Sequence, residues 1–309
     1  MTSSHRDKIQ VLIPAYNAEP HIDEALESLC NQTWWNWEAL IIDDGSTDGT
    51  KEKLRKWCSR DKRICYRSRI NKGLVFTLNE LVQWSDSSVI ARMDADDVSL
   101  PHRLENQLDL LSSLGERSLV GSWVELFGSK SETWHYRAAD NDIRMLSLFG
   151  RASMCHGALM GHRSVFTDYP FNPHHERAEE LDFFCRLMLD DSISLGNVTE
   201  PLYRYRQHES SVVYQFNLPR QTLYRKRIKD YFSSLQISIN DSDLSLYLDF
   251  VYGVQATFSS QQSCTLINIV NYINEQLGQK FTGYINEFKR RSKGRISESA
   301  FVSLSEIKK

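Results

Sequence analysis

The sequence predicts an α/β fold: a mainly parallel central sheet flanked by helices, followed by a helical C-terminal extension. Three observations carry this. Short runs that are apolar at every position, at 11–13, 39–42 and 89–91, alternate with segments of helical spacing, the pattern of parallel strands covered on both faces. Each run stops at a polar or acidic cluster, Pro14-Ala15-Tyr16-Asn17, Asp43-Asp44-Gly45-Ser46 or Asp94-Ala95-Asp96-Asp97, and the carboxyl ends of parallel strands are where such sheets bind ligands. After about residue 216 strand signals thin out and amphipathic helical patterns run to the end.

Taken in order, the strand at 11–13 is stopped by Pro14. A helix over 21–31 follows, with Ile22, Ala25, Leu26 and Leu29 on one face. The second strand, 39–42, leads through a Ser/Thr/Asp cluster into a helix opening near Asp48, a residue type suited to capping. A third strand is expected at 64–66 and a helix at 73–84, then the strand that delivers Asp94. Pro101 to Leu114 reads as a helix with proline near its first turn. Beyond it come a strand at 118–127, a helix at 141–149, strand and loop at 154–166, a helix from Glu179 to Leu189 and a strand at 202–206. This divides the chain into a main domain over 1–215, with 8–110 and 111–215 as its two parts, and an extension over 216–309.

Composition narrows the function. A formal charge of -3 over 309 residues argues against a nucleic-acid partner, which calls for a basic stripe. Six scattered cysteines without CxxC spacing, a short polar start (MTSSHRDK) and no apolar run of membrane-spanning length predict a cytoplasmic protein with reduced thiols. Neither GxGxxG after the first strand nor GxxxxGK[ST] is present. This disfavours a dinucleotide oxidoreductase and a P-loop enzyme.

Three carboxylates in four residues at 94–97 repel one another and make sense beside a hard divalent cation such as Mg²⁺ or Mn²⁺; a solvated turn with acidic helix caps is the plain alternative. Asp43 and Asp44 suit hydrogen bonds to a base or ribose, or a turn and cap. Glu179, Glu180 and Asp182 at a helix start suit a general base, or ordinary N-terminal acidity.

In their order along the chain, these clusters resemble the family 2 inverting glycosyltransferases of the GT-A fold. The matching stretches are VLIPAYNAEPHIDEALESLCNQTWWNWEALIIDDGSTDGT at 11–50, Asn71-Lys72-Gly73, ARMDADDVSLPHRLENQ at 91–107, AEELDFFCRL at 178–187 and YRYRQHESSV at 203–212. The resemblance implies a nucleotide pocket lined by Pro14, Ala15, Tyr16 and Asn17, with Asp44 on the base, Asp43 beside it, and Lys72 among the nucleotide contacts. It makes Asp94-Ala95-Asp96 the DxD motif that binds the nucleotide-sugar and Mn²⁺ or Mg²⁺. Asp96 is then the direct metal ligand, Asp94 leans on ribose or metal-bound water, His208 joins the metal or the diphosphate, and Asp97 caps the following helix. The family's base is the aspartate of a Glu-Asp pair. Here the pair is Glu179-Glu180, which places the base at Glu180, with Asp182 as the alternative. The implied partners are a nucleotide-sugar donor, a UDP-sugar first, and a glycan or lipid-linked acceptor of surface polysaccharide synthesis. A catalytically inactive nucleotide-sugar-binding module of the same fold is the alternative. The basic segment at 280–295 suits peripheral association with the inner membrane face or a solvated helix face, and the terminal helices equally suit a homodimer.

Overall fold

The computed structural model describes residues 8–149, 153–175, 179–207, 218–252, 255–278 and 283–296. The chain forms two compact units, one of residues 1–140 and 153–216, the other of 141–152 and 217–309.

Among the described residues, the first unit is built on nine strands: β1 (Ile9–Ala15), β2 (Trp37–Asp43), β3 (Ile64–Ser68), β4 (Val89–Arg92), β5 (Val98–Ser99), β6 (Ser118–Gly128), β7 (Glu132–Trp134), β8 (Met160–His162) and β9 (Ser194–Gln207). Their order is β3-β2-β1-β4-β8-β6-β9-β5, with β7 also on β6. The first four pair in parallel, as expected from their apolar runs. β8 then lies antiparallel between β4 and β6, and β9 runs parallel to β6. The sheet is therefore mixed in its pairings, although only β5, β7 and β8 run against the common direction.

Helices α1 (Ile22–Cys30), α2 (Thr50–Arg60), α3 (Leu74–Trp84) and α4 (Arg103–Leu114) connect the early strands. Ile22, Ala25, Leu26 and Leu29 of α1 are all buried, one apolar stripe laid on the sheet. Pro101 precedes α4 by two residues rather than lying in its first turn. β9 is longer than the alternation at 202–206 predicts. Its first half, SLGNVTEP, carries no period-two signal, yet Ser194 to Val198 pairs in register with Ser118 to Ser122. α6 (Arg163–Asp168) and α7 (Glu179–Leu187) complete this unit.

The second unit holds α8 (Leu218–Ser234), α9 (Asp241–Tyr252), α10 (Ser260–Leu277) and α11 (Tyr284–Ser292), together with residues 141–152, so the boundary at 215 expected from sequence does not hold for this segment. α5 (Asp140–Ser147) enters this unit. Phe149 explains why the segment belongs there: it packs on Tyr247 and Tyr284, while the Tyr247 hydroxyl donates to the Leu148 carbonyl (2.8 Å). Much of the basic charge of 280–295 is used internally. Arg290 and Arg291 both pair with Glu287, Arg291 lies over Phe149, and Arg295 lies over Phe250 and Phe258. Among the described residues no helix is long and apolar enough to cross a membrane.

Candidate active site

Because β2, β1 and β4 are parallel neighbours, their carboxyl ends lie side by side. Ala15 is in register with Asp43, and Leu12 with Arg92. One sheet edge thus gathers Pro14–Asn17, Asp43–Asp44 and Asp94–Asp97.

The first two loops are laced together. The Asn17 amide donates to Ser46 Oγ (2.9 Å), the Thr47 amide to Asn17 Oδ1 (2.9 Å), and the Ala18 amide to Thr50 Oγ1 (2.8 Å). Asn17 adopts φ 49°, a left-handed conformation that asparagine tolerates. Ala15 is buried, whereas Tyr16 stands 54% exposed beside it, an aromatic face open to a flat ligand.

Asp43 and Asp44 are both buried. Asp43 accepts from the Ser46 amide (3.0 Å) and the Ser68 hydroxyl (2.8 Å). Asp44 forms an ion pair with Arg69 and accepts the amides of Lys72 (2.8 Å) and Gly73 (2.9 Å). It thereby holds the loop carrying Lys72, whose residue is exposed, against the end of β2. Gly45 sits beneath that loop at φ +77°. A Cβ there would come within 2.7 Å of the Asn71 backbone nitrogen.

The turn at 94–97 rests on buried cations. Arg92, the last residue of β4, donates Nη1 to Asp94 Oδ2 (2.7 Å). Burial opposes its charge, but the carboxylate of Asp94 more than offsets this and raises its pKa. Arg103, fully buried at the start of α4, donates Nη2 to the Arg92 carbonyl (2.6 Å) and lies over the Tyr203 ring. Burial, with Arg92 nearby, lowers its pKa to about 10. The Asp94 amide donates to the Tyr203 hydroxyl (3.0 Å), and Arg206 donates Nε to the Asp96 carbonyl (2.7 Å). Ala95 is buried between the two carboxylates of the motif, which are each partly exposed.

Asp97 does not cap a helix. The chain continues into β5, and the buried Asp97 carboxylate accepts the Arg206 amide (2.7 Å), tying the turn to β9. Burial, then Asp94 and Asp96, push its pKa well up. Across from the motif, a 3₁₀ turn at His156–Ala158 brings Gly157 so close that a Cβ would lie 3.0 Å from both Asp94 Oδ2 and the Tyr203 hydroxyl.

Glu180 lies in the first turn of α7 and is partly exposed. Asp182 is buried. It accepts from Arg186 Nε (2.9 Å) and lies 3.7 Å from His175 Nε2. Phe183 of the same helix stacks on Phe171, which meets His156 edge-on. His156 keeps its Nε2 buried without a hydrogen-bond partner, and burial followed by Arg92 holds its pKa well below the ordinary value.

His208 lies outside the described residues. Among those described, no group of three or more His, Cys, Asp and Glu is arranged to hold a metal ion. All six cysteines are free. Sequence reasoning missed Arg69, Arg92, Arg103 and Tyr203 as parts of this edge; Arg206, a candidate phosphate partner by sequence, is here tied to the Asp96 carbonyl. An arginine closing an otherwise apolar strand was the one available signal, since an unpaired charge is rarely buried.

The comparisons agree with this architecture. The model of glycosyl transferase family 2 matches residues 10–169. An uncharacterized glycosyltransferase of Haemophilus influenzae is 31% identical over 75% of this chain and 76% of its own. The Escherichia coli UDP-Glc:alpha-D-GlcNAc-diphosphoundecaprenol beta-1,3-glucosyltransferase WfgD is 25% identical over 66% of this chain and 79% of its own. The crystal structure of S. aureus TarS 1-349 in complex with UDP-GlcNAc superposes with a TM-score of 0.63 at 16% identity, over 93% of this chain and 84% of that one, a likeness of fold. With its matched motifs gathered at one edge of a GT-A-type sheet, the chain belongs to glycosyl transferase family 2 and is a glycosyltransferase.

Proposed function

We propose that the chain moves a sugar, with inversion, from a UDP-sugar to a hydroxyl of a lipid-linked or glycan acceptor in surface polysaccharide synthesis, with a divalent metal at Asp94 and Asp96. The observation that carries this reading is the shared edge of β2, β1 and β4. It sets an exposed aromatic residue, and a loop held by the buried Asp43 and Asp44, beside a partly exposed pair of acids. WfgD, by its name, uses UDP-Glc and a diphosphoundecaprenol-linked acceptor, and TarS was crystallised with UDP-GlcNAc; both favour the uridine nucleotide here.

The residues at 94–96 fit a hard cation. They offer only oxygen donors, and two carboxylates leave the remaining positions to phosphate oxygens and water, the usual arrangement for Mg²⁺. Asp96 would be the direct ligand in this reading, with Asp94 in support and His208 joining either the metal or the diphosphate. Compensation of charge on the departing diphosphate is the chemistry such an ion supplies when bound. Tyr16 stacks on the base and Lys72 approaches the phosphates. Glu180 takes the proton of the acceptor hydroxyl as that oxygen bonds to the anomeric carbon, while the bond to the diphosphate breaks on the opposite face. Asp182 is the weaker candidate for the base because it is buried and Arg186 holds one of its oxygens, with His175 3.7 Å from the other.

A thermal-shift titration with UDP, UDP-glucose and UDP-N-acetylglucosamine, with Mn²⁺ or with EDTA, tests the donor and metal assignments, since a ligand of the native state raises its melting temperature. Glu180→Gln should keep the donor-induced shift and lose transfer by about 10²-fold or more. Near-normal transfer in this variant would overturn the base assignment. A wild type that shifts with UDP but never releases it from UDP-sugars would favour the inactive binding module, the reading that the Glu179-Glu180 pair keeps open.

A further inference from the structure

We propose that Arg92 is a positioning residue: from beneath the acidic turn it holds one oxygen of Asp94 inward, aims the rest of that carboxylate at the donor, and serves as the internal countercharge that keeps the turn folded before donor and metal arrive. The inference goes deeper into the donor site described above and rests on that reading.

Three carboxylates within four residues should push the turn open whenever no cation is bound. Here the opposing charge is built into the chain. Arg92 is 5% exposed, so its guanidinium is not a solvent-facing group that happened to find a partner. It reaches Asp94 Oδ2 at 2.7 Å, yet the Asp94 side chain keeps 25% of its surface open. Its Nε is buried with no hydrogen-bond partner. Such a cost, of the order of 1–3 kcal/mol for an unmet polar group, is hard to account for if Arg92 served packing alone.

Neighbouring groups fix Arg92 in turn. Arg103 holds its backbone carbonyl (2.6 Å), and Gln107 engages Arg103 Nε (3.0 Å) while donating to the Ala158 carbonyl (2.8 Å). Gly157 closes the other side, where a Cβ would meet Asp94 Oδ2, the Tyr203 hydroxyl and Arg92 Nη1 at 3.0, 3.0 and 3.2 Å. Asp94 is thus clamped by an arginine from within and by a side-chain-free turn opposite. A fixed fork is what arginine offers and lysine does not.

The test measures melting temperature in EDTA and in Mn²⁺, UDP affinity, and kcat and KM for UDP release from UDP-N-acetylglucosamine and UDP-glucose. Arg92→Met should lower the melting temperature by several degrees more in EDTA than in Mn²⁺, because the cation replaces the missing charge, and should lower kcat at least about tenfold. Arg92→Lys should regain the EDTA melting temperature and remain slow, with KM for the donor changed less than about threefold. Gly157→Ala, which leaves the charges in place and crowds Asp94 from the far side, should lower kcat about fivefold or more while UDP still binds. Arg92→Met with kcat within about threefold of wild type, an equal loss of melting temperature with and without Mn²⁺, or unimpaired Gly157→Ala would overturn the proposal. Failure of the metal reading shows separately, as wild-type turnover that persists in EDTA.

Discussion

Two acidic strand ends stand side by side in this protein and are neutralised in opposite ways. At the end of β2, Asp43 and Asp44 are covered by groups from the loops themselves: the Ser46, Lys72 and Gly73 amides, the Ser68 hydroxyl and Arg69. At the end of β4 the countercharge comes from below, through Arg92, while Asp94 and Asp96 stay partly open. The first arrangement spends carboxylates on shaping a loop. The second holds a charged turn in shape while two of its carboxylates keep contact with solvent. Burial and partners, rather than the number of acids, separate a structural cluster from a reactive one.

The largest effect that would sharpen this contrast is Asp96→Ala, expected to reduce metal-dependent turnover on the order of 10²–10³-fold with little change in metal-free melting temperature. A variant that unfolds instead would place Asp96 with the structural cluster. Asp44→Ala should do the reverse. It breaks a buried ion pair, and chemical denaturation should show a loss of about 3 kcal/mol, at the low end because Arg69 keeps its second partner Glu80 (2.8 Å). Unchanged stability would mean that the β2 cluster is not holding its loop.

Gly45→Ala probes the same loop through the backbone. The φ of +77° and the 2.7 Å approach to Asn71 predict a loss of about 1–3 kcal/mol, together with weaker UDP binding as the Lys72 loop lifts. The smallest effect concerns a cluster far along the chain. Asp190 accepts from Ser192 and Tyr169 and pairs with Arg117. The Ser192 hydroxyl first, against the opposing effect of burial, and then the other donors hold its pKa at about 2, below the ordinary 3.8. A carboxyl with a depressed folded pKa contributes stability that is complete above its unfolded value and is lost as pH falls through the folded one. Asp190→Asn should therefore be less stable than wild type at pH 7, with the gap closing between about pH 4 and 2. A gap independent of pH would mean that Asp190 acts through packing rather than charge.

Much of the site was legible beforehand because its parts are local. Two of the acidic clusters follow on continuous apolar runs, at once after 39–42 and two residues after 89–91, and parallel pairing then brings the run ends together. The terminal helices were visible as periodicity, but the internal partners of their basic residues were not. Arg291 and Arg295 read as surface charge until Phe149 and Phe250 are seen beneath them. The same failure hid the first half of β9, whose SLGNVTEP has neither alternation nor a continuous apolar run, and Asp97, which looked like a helix cap and instead receives an amide from a strand more than a hundred residues later.

By itself the sequence determined the alternation of strands and helices, the carboxylates at the strand tips and the family, all matters of period and spacing over a few residues. Only the tertiary structure decided which charges face inward, that Arg92 and Arg103 underlie the acidic turn, that Asp182 is already engaged, and that residues 141–152 join the helical unit. The physical reason is that the state of a charged group is set by neighbours distant in the chain, through desolvation and pairing, and no local pattern records which of them will arrive.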